Sequence, residues 1–306
     1  MDFAKNREAV KIRCSGWLGV CLVGGAFALV SPSQAYAESG DSSLGSALRA
    51  NEGEWLPAFQ GISVRYDSLA EPRPIKVTVA RIDTWAEGVR LFVTPGNGPA
   101  LHEVDARKTT SFLDEFDLEV ALNATGFTSI SKEGTAIGVI GFSVSDHEVV
   151  SPLEGEAPVF VVDEKGRGRI ERFPFAEDAF DDAFVAVQGW YGAKGMLVDD
   201  GKAIAEVVDV HPRSAVGVSK DQRFIYLATF DGRQPKYSEG ASLRDMAVFL
   251  RDLSCWDAMN LDGGGSTTLV VKIEGEATIL NRPSGSERAV ANHIGVQALP
   301  LNSAKE

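Results

Sequence analysis

From Trp55 onward the chain alternates short apolar runs with turn residues, the pattern of many strands joined by tight connections. β-Branched or alternating stretches predict strands over 75–82, 89–94, 118–123, 136–144, 158–163, 184–188, 215–219, 223–229, 256–261, 269–273 and 294–299. Turn chemistry after Asp163, at Asp199-Asp200-Gly201 and from Ser219 to Gln222 predicts hairpins. Two segments carry helical spacing instead. Over 109–116, Phe112, Leu113 and Phe116 share one face, with Thr109 or Thr110 as N-cap. Over 242–253, Leu243, Met246, Ala247 and Leu250 form a stripe behind Ser242, with Asp245 three residues on as a capping partner. The expected fold is α+β: one domain over 55–302, with a large mixed, mostly antiparallel sheet and a few flanking helices. A split near 145–180 is the alternative.

One stretch stands out. A strand ends at Asn260-Leu261-Asp262, three glycines follow (Gly263, Gly264, Gly265), then Ser266, Thr267 and Thr268, then another apolar run. Three glycines cost backbone entropy and bring nothing to packing. They make sense where a ligand or another backbone comes very close. Free N–H groups beside hydroxyls could hold an anion or a polyol, although a tight hairpin with a solvated aspartate is the plain alternative. Asn260 and Asp262 fall on the same side of the strand.

The N-terminus reads as an export signal over 1–37. Lys5, Arg7, Lys11 and Arg13 precede an apolar run that is short for a membrane span, and Ala35-Tyr36-Ala37 offers a cleavage site. The location expected is therefore periplasmic or extracellular. Residues 38–54, rich in Ser, Gly and acidic residues, read as a flexible leader. The 306-residue chain carries a formal charge of −13, which argues against nucleic acid as a partner. An anionic substrate would have to be met by local arginines. Cys255 stands alone beyond the signal, so no disulfide framework is expected, and four dispersed histidines make a zinc site improbable. No cofactor is expected, although Asp262 beside its glycine turn could hold a single calcium.

Other residues carry two readings each. Asn123, at a strand end, either forms a turn or hydrogen-bonds a sugar or a reacting group. Arg213 and Arg288 are surface ion-pair residues or phosphate grips. Asp231-Gly232-Arg233 reads first as a turn, expected at the opposite end of its hairpin from Arg213. Gln188-Gly189-Trp190-Tyr191 places two aromatics where they could fill a rim or stack on a sugar.

Taken together, Arg213-Ser214-Ala215-Val216-Gly217, Asp231-Gly232-Arg233, Ser238 with Gly240, Asn260 to Ser266, and Glu287-Arg288 with Val290 resemble the phosphodiester glycosidase family, over about 118–299. The chain departs from that pattern at Asn123-Ala124-Thr125-Gly126-Phe127 and around Gly189. The resemblance implies hydrolysis of a sugar-1-phosphodiester, from a phosphoglycan or envelope polysaccharide, at the anomeric carbon. Asp262, Asn260 and Asn123 would be catalytic. Arg213, Arg288, Gly263, Gly264, Gly265, Ser266 and Gln188 would bind substrate or phosphate. A phosphate monoester leaves without strong acid assistance, so one carboxylate suffices. The alternative is a non-catalytic protein that binds or assembles exopolysaccharide on the same scaffold. Homo-oligomerisation is left open.

Overall fold

The valine- and isoleucine-rich runs form strands close to where the pattern places them, and every strand pairing among the described residues is antiparallel. The computed structural model describes residues 44–99 and 102–301, so the expected export signal lies outside the described residues. The architecture is α+β with a small helical share. It differs from the expected single mixed sheet, because the strands divide among three larger antiparallel sheets and two two-stranded ones.

An eight-stranded sheet runs in the order Leu56–Phe59, Ile62–Leu69, Ile75–Asp83, Phe224–Phe230, Arg213–Val218, Asp257–Asn260, Met196–Asp199, Lys202–Ala203. A five-stranded sheet follows the order Glu276–Ile279, Leu269–Ile273, Val120–Asn123, His293–Gln297, Arg90–Val93. A second five-stranded sheet is centred on Ala183–Gln188 and Val159–Asp163. One apolar cluster joins all three: Val216, Leu227 and Met259 meet Leu122, Leu269 and Ile294, together with Phe160 and Val187. Full burial of each such side chain contributes roughly 1.5–3 kcal/mol.

The glycine motif is therefore not a hairpin. Asp257–Asn260 belongs to the eight-stranded sheet and Leu269–Ile273 to a five-stranded one, so the glycine turn carries the chain from one sheet to the other. Three true hairpins do form at the expected turns: Val159–Asp163 with Gly168–Glu171, Met196–Asp199 with Lys202–Ala203, and Arg213–Val218 with Phe224–Phe230.

Helix Leu243–Asp252 buries the expected stripe. Ser242 caps it through a reciprocal box: its hydroxyl accepts from Asp245 N–H, and the Asp245 carboxylate accepts from Ser242 N–H. In helix Thr109–Glu115, Phe112 and Leu113 are buried as expected, but the N-cap is Lys108 and makes no side-chain cap bond. Acceptors come from elsewhere in the fold instead: Glu133 takes Lys108 N–H and Glu287 takes Thr110 N–H. The leader is also not wholly irregular. Leu44–Ala50 is helical, and Leu44 and Leu48 pack into the shared core because an apolar i, i+4 pair gains more by burial than the polar flanks lose.

The run predicted over 136–144 breaks into Ala136–Ile137, Val139–Ile140 and Ser143–Ser145. At Gly141 the backbone has φ +101°, and a Cβ there would lie 2.7 Å from the Gln188 side chain. The chain turns there because only glycine tolerates both conditions.

Candidate active site

A buried amide bridges the seam between the eight-stranded sheet and the sheet of Val120–Asn123, beside a backbone bond from Asp262 N–H to the Ala124 carbonyl. Asn123 Oδ1 accepts from Ser214 Oγ at 2.7 Å and from Thr268 N–H at 3.1 Å, while its Nδ2 donates to the Asp262 carbonyl at 2.6 Å. Asn123, Ser214 and Thr268 are fully buried. The amide thus joins strand Arg213–Val218 to the residues on either side of the glycine turn. Asn123, expected to be catalytic, bonds the Asp262 backbone, and its amide is already engaged by the protein.

Asp262 leaves the strand end into a cleft of about 260 Å³, whose lining includes Trp190, His211, Arg213, Arg233, Asn260 and Gly264. Burial pushes its carboxyl above the ordinary value. Hydrogen bonds from the Ser266 side chain and Gly263 N–H, and the charge of Arg288, pull the other way. Asn260 faces the same cleft, and its buried Oδ1 has no hydrogen-bond partner. An orphaned buried acceptor costs about 1–3 kcal/mol unless something else supplies the donor, so a ligand hydroxyl or water suits that position.

The glycines serve close packing more than an N–H cradle. Gly263 N–H is spent on the Asp262 carboxylate and Gly264 N–H on the Pro212 carbonyl. A Cβ at Gly263 would sit 2.7 Å from the Pro212 carbonyl oxygen, one at Gly264 3.2 Å from Arg233 Nη2, and one at Gly265 2.3 Å from Arg288 Nη2. The turn lacks side chains so that a neighbouring backbone and two guanidinium groups can lie against it. Ser266 joins this arrangement, with Arg288 Nη1 3.5 Å from its hydroxyl.

Arg213 and Arg233 share one end of their hairpin, contrary to the expected separation. Arg213 pairs with Phe230 in the antiparallel ladder, so the start of one strand meets the end of the next. Arg233 was not singled out as a phosphate ligand, yet it lines the cleft beside Arg213. It adopts φ +59°, a conformation unfavourable for a side-chain-bearing residue. Asp231 stabilises the segment that imposes it. The Asp231 carboxylate accepts from Asn281 Nδ2, Arg282 N–H and the Tyr237 hydroxyl, and burial raises its pKa to about 6 despite those bonds. His211 was also missed. Burial and then Arg213 and Arg233 lower its pKa, which keeps the ring neutral near pH 7.

Gln188 does not join the site. Its amide accepts from Phe142 and Glu154 N–H and donates to the Glu154 carbonyl, which fixes the 142–154 backbone. The neighbouring Trp190 does reach the cleft. Cys255 is buried, and burial pushes its thiol pKa up, as expected of an inert packing residue. Among the described residues, the group of carboxylates spaced to hold a metal is Asp199, Asp200 and Asp257, and Arg172 spans all three.

The fold and site define an antiparallel α+β protein with a half-buried carboxylate, Asp262, flanked by arginines at a sheet seam. The sequence profile for phosphodiester glycosidases matches residues 116–297, and the chain belongs to that family. Among solved structures it is similar to the catalytic domain of zebrafish N-acetylglucosamine-1-phosphodiester alpha-N-acetylglucosaminidase, auto-inhibited by its pro-peptide. That match has a TM-score of 0.58 and 19% identity, over 78% of this chain and 86% of that one. A hypothetical protein from Synechocystis matches with a TM-score of 0.59 and 16% identity, over 78% of this chain and 62% of that one. No curated protein matches the chain significantly.

Two outcomes follow from the site geometry. Gly265→Ala should displace the flexible Arg288 side chain at a stability cost below about 1 kcal/mol, and it tests the phosphate grip expected of Arg288, with an expected loss of about tenfold in phosphate affinity by calorimetry. Unchanged phosphate affinity would show that Arg288 has no part in anion binding. For Asp231, the folded pKa lies above the unfolded value, so the folded state holds the extra proton. Stability relative to an Asp231→Asn variant should therefore fall as pH rises from the ordinary carboxylate value through about 6. Urea midpoints across that window check this, and a flat difference would contradict it.

Proposed function

We propose that the protein hydrolyses a sugar-1-phosphodiester by breaking the bond between the anomeric carbon and the phosphate oxygen. The observation that carries this reading is charge placement. Most other arginines among the described residues are tied to carboxylates. Arg213, Arg233 and Arg288 have no carboxylate within ion-pair distance, and all three lie around the glycine turn next to Asp262. In a chain of net charge −13, such a concentration of unpaired guanidinium groups suits a bound phosphate.

In this reading Arg213 and Arg233 hold the phosphodiester in the cleft, Arg288 adds its charge from across the turn, and Trp190, 38% exposed at the cleft, offers a face on which the sugar stacks. Asn260 Oδ1 takes a hydroxyl of the sugar or of the attacking water. As the C–O bond breaks, its electron pair goes to the phosphate, which departs as a monoester stabilised by the guanidinium charges. Positive charge that develops at the sugar faces the Asp262 carboxylate. Water supplies the new C–O bond and gives its proton to Asp262. A leaving phosphate is a weak base, so no second carboxylic acid is required at the cleft. Ionised Asp262 is the active form, and its raised pKa moves the acid limb of the rate profile upward from the ordinary aspartate value.

The basic N-terminus and its apolar run support export of the mature chain, and no helix among the described residues is long and apolar enough to cross a membrane. A phosphorylated envelope glycan outside the cytoplasm is the substrate source that fits. The proposed hydrolysis needs no cofactor.

Asp262→Asn keeps the side-chain shape and removes the charge. On a sugar-1-phosphodiester, followed by released reducing sugar, it should lower kcat by about 10²–10⁴-fold while substrate is still bound. Turnover within a few-fold of wild type would overturn the assignment of Asp262. A wild-type protein that binds the phosphodiester without releasing sugar would identify a glycan-binding protein instead.

A further inference from the structure

A second cleft lies on the other side of the glycine turn. At about 600 Å³ it is larger than the cleft of Asp262, and its lining includes Lys108, Lys132, Arg233, Gly265, Glu287 and Arg288. The two clefts share Arg233. The wall between them is the turn itself, which has no side chains at its three glycines.

The charge lining this cleft is net positive: Lys108, Lys132, Arg233 and Arg288 face Glu133 and Glu287. Glu287 is spent on helix Thr109–Glu115, where it accepts from Thr110 N–H at 2.9 Å and from the Thr110 hydroxyl at 2.8 Å. Glu133 accepts from Lys108 N–H and pairs with the Lys108 ammonium. Both carboxylates thus serve the helix start that no side-chain cap serves. Lys132, Arg233 and Arg288 are left without an ion pair among the described residues, on a wall continuous with the phosphate grip.

We infer that this second cleft binds a further phosphate-bearing unit of the substrate, so that the protein takes a polyanionic, phosphodiester-linked chain across the glycine turn. The inference rests on the reading of the first cleft as a phosphate site. A chain that passes from one cleft to the other meets Arg213 on one side, Arg233 at the crossing and Lys132 on the far side. The crossing runs over Arg233, since the glycine faces themselves are packed against Pro212, Arg233 and Arg288. Linked phosphates that occupy both clefts gain affinity over a single phosphate, because the second contact becomes intramolecular.

The test is calorimetric binding of inorganic phosphate and of short-chain inorganic polyphosphate to the whole mature protein. Wild type should bind polyphosphate at least about tenfold more tightly than phosphate. Lys132→Glu should weaken polyphosphate about fivefold or more and leave phosphate unchanged. Lys220→Glu, on the hairpin turn at the far end of strand Arg213–Val218, controls for net charge and should change neither. Arg213→Ala should weaken both ligands. If Lys132→Glu has no effect, or Lys220→Glu has the same effect, the second cleft is not a subsite. If phosphate binding survives Arg213→Ala undiminished, the first-cleft reading fails, and that outcome is separate from the behaviour of Lys132.

Discussion

The buried amide of Asn123 is the constraint on which the site depends. Two sheets must meet at a fixed register for Asp262 to emerge between Arg213 and Arg288, and apolar packing alone is too undirected to fix that register. The amide adds direction. It receives from a hydroxyl on one sheet and a backbone N–H on the other, and it donates to the Asp262 carbonyl. In so dry a setting each of these bonds is strong, and each unmade partner is expensive. Asp231 performs a parallel task at the next strand end, where it ties the 281–282 backbone to the segment that presents Arg233.

Around those two anchors the charges are divided by function. Carboxylates elsewhere neutralise most arginines, and the residual positive charge collects at the glycine turn. The turn is glycine-rich because Pro212, Arg233 and Arg288 press against it from different directions. That close packing brings guanidinium groups beside the half-buried Asp262 carboxylate without joining them in an ion pair that would neutralise both. A phosphate leaving group suits the arrangement, since it needs charge stabilisation more than a proton.

Much of the architecture was legible in the chain. β-Branched runs marked the central strands, and the capping pair Ser242 and Asp245 marked its helix. Strand Ile62–Leu69 went unnamed, although Ile62, Val64 and Tyr66 alternate inward as a period-two pattern requires. The division into three sheets could not be read, because a strand's sequence records that it is buried and not which neighbour buries it. At the site, Asp262, Asn260, Arg213 and Arg288 stood out by residue type and motif. The adjacency of Arg233 to Arg213 follows from antiparallel pairing alone and was misassigned. The dual commitment of the Gly263 and Gly264 N–H groups, and the withdrawal of Gln188 into its own loop, depend on contacts between segments distant in sequence. No local pattern encodes those.

The central claim is that this geometry directs attack to the sugar carbon and not to phosphorus. Hydrolysis of a sugar-1-phosphodiester in ¹⁸O-labelled water, with mass analysis of both products, tests it most directly. The account predicts the label in the released sugar and an unlabelled phosphate monoester. Label in the phosphate, with sugar-1-phosphate as a product, would contradict it.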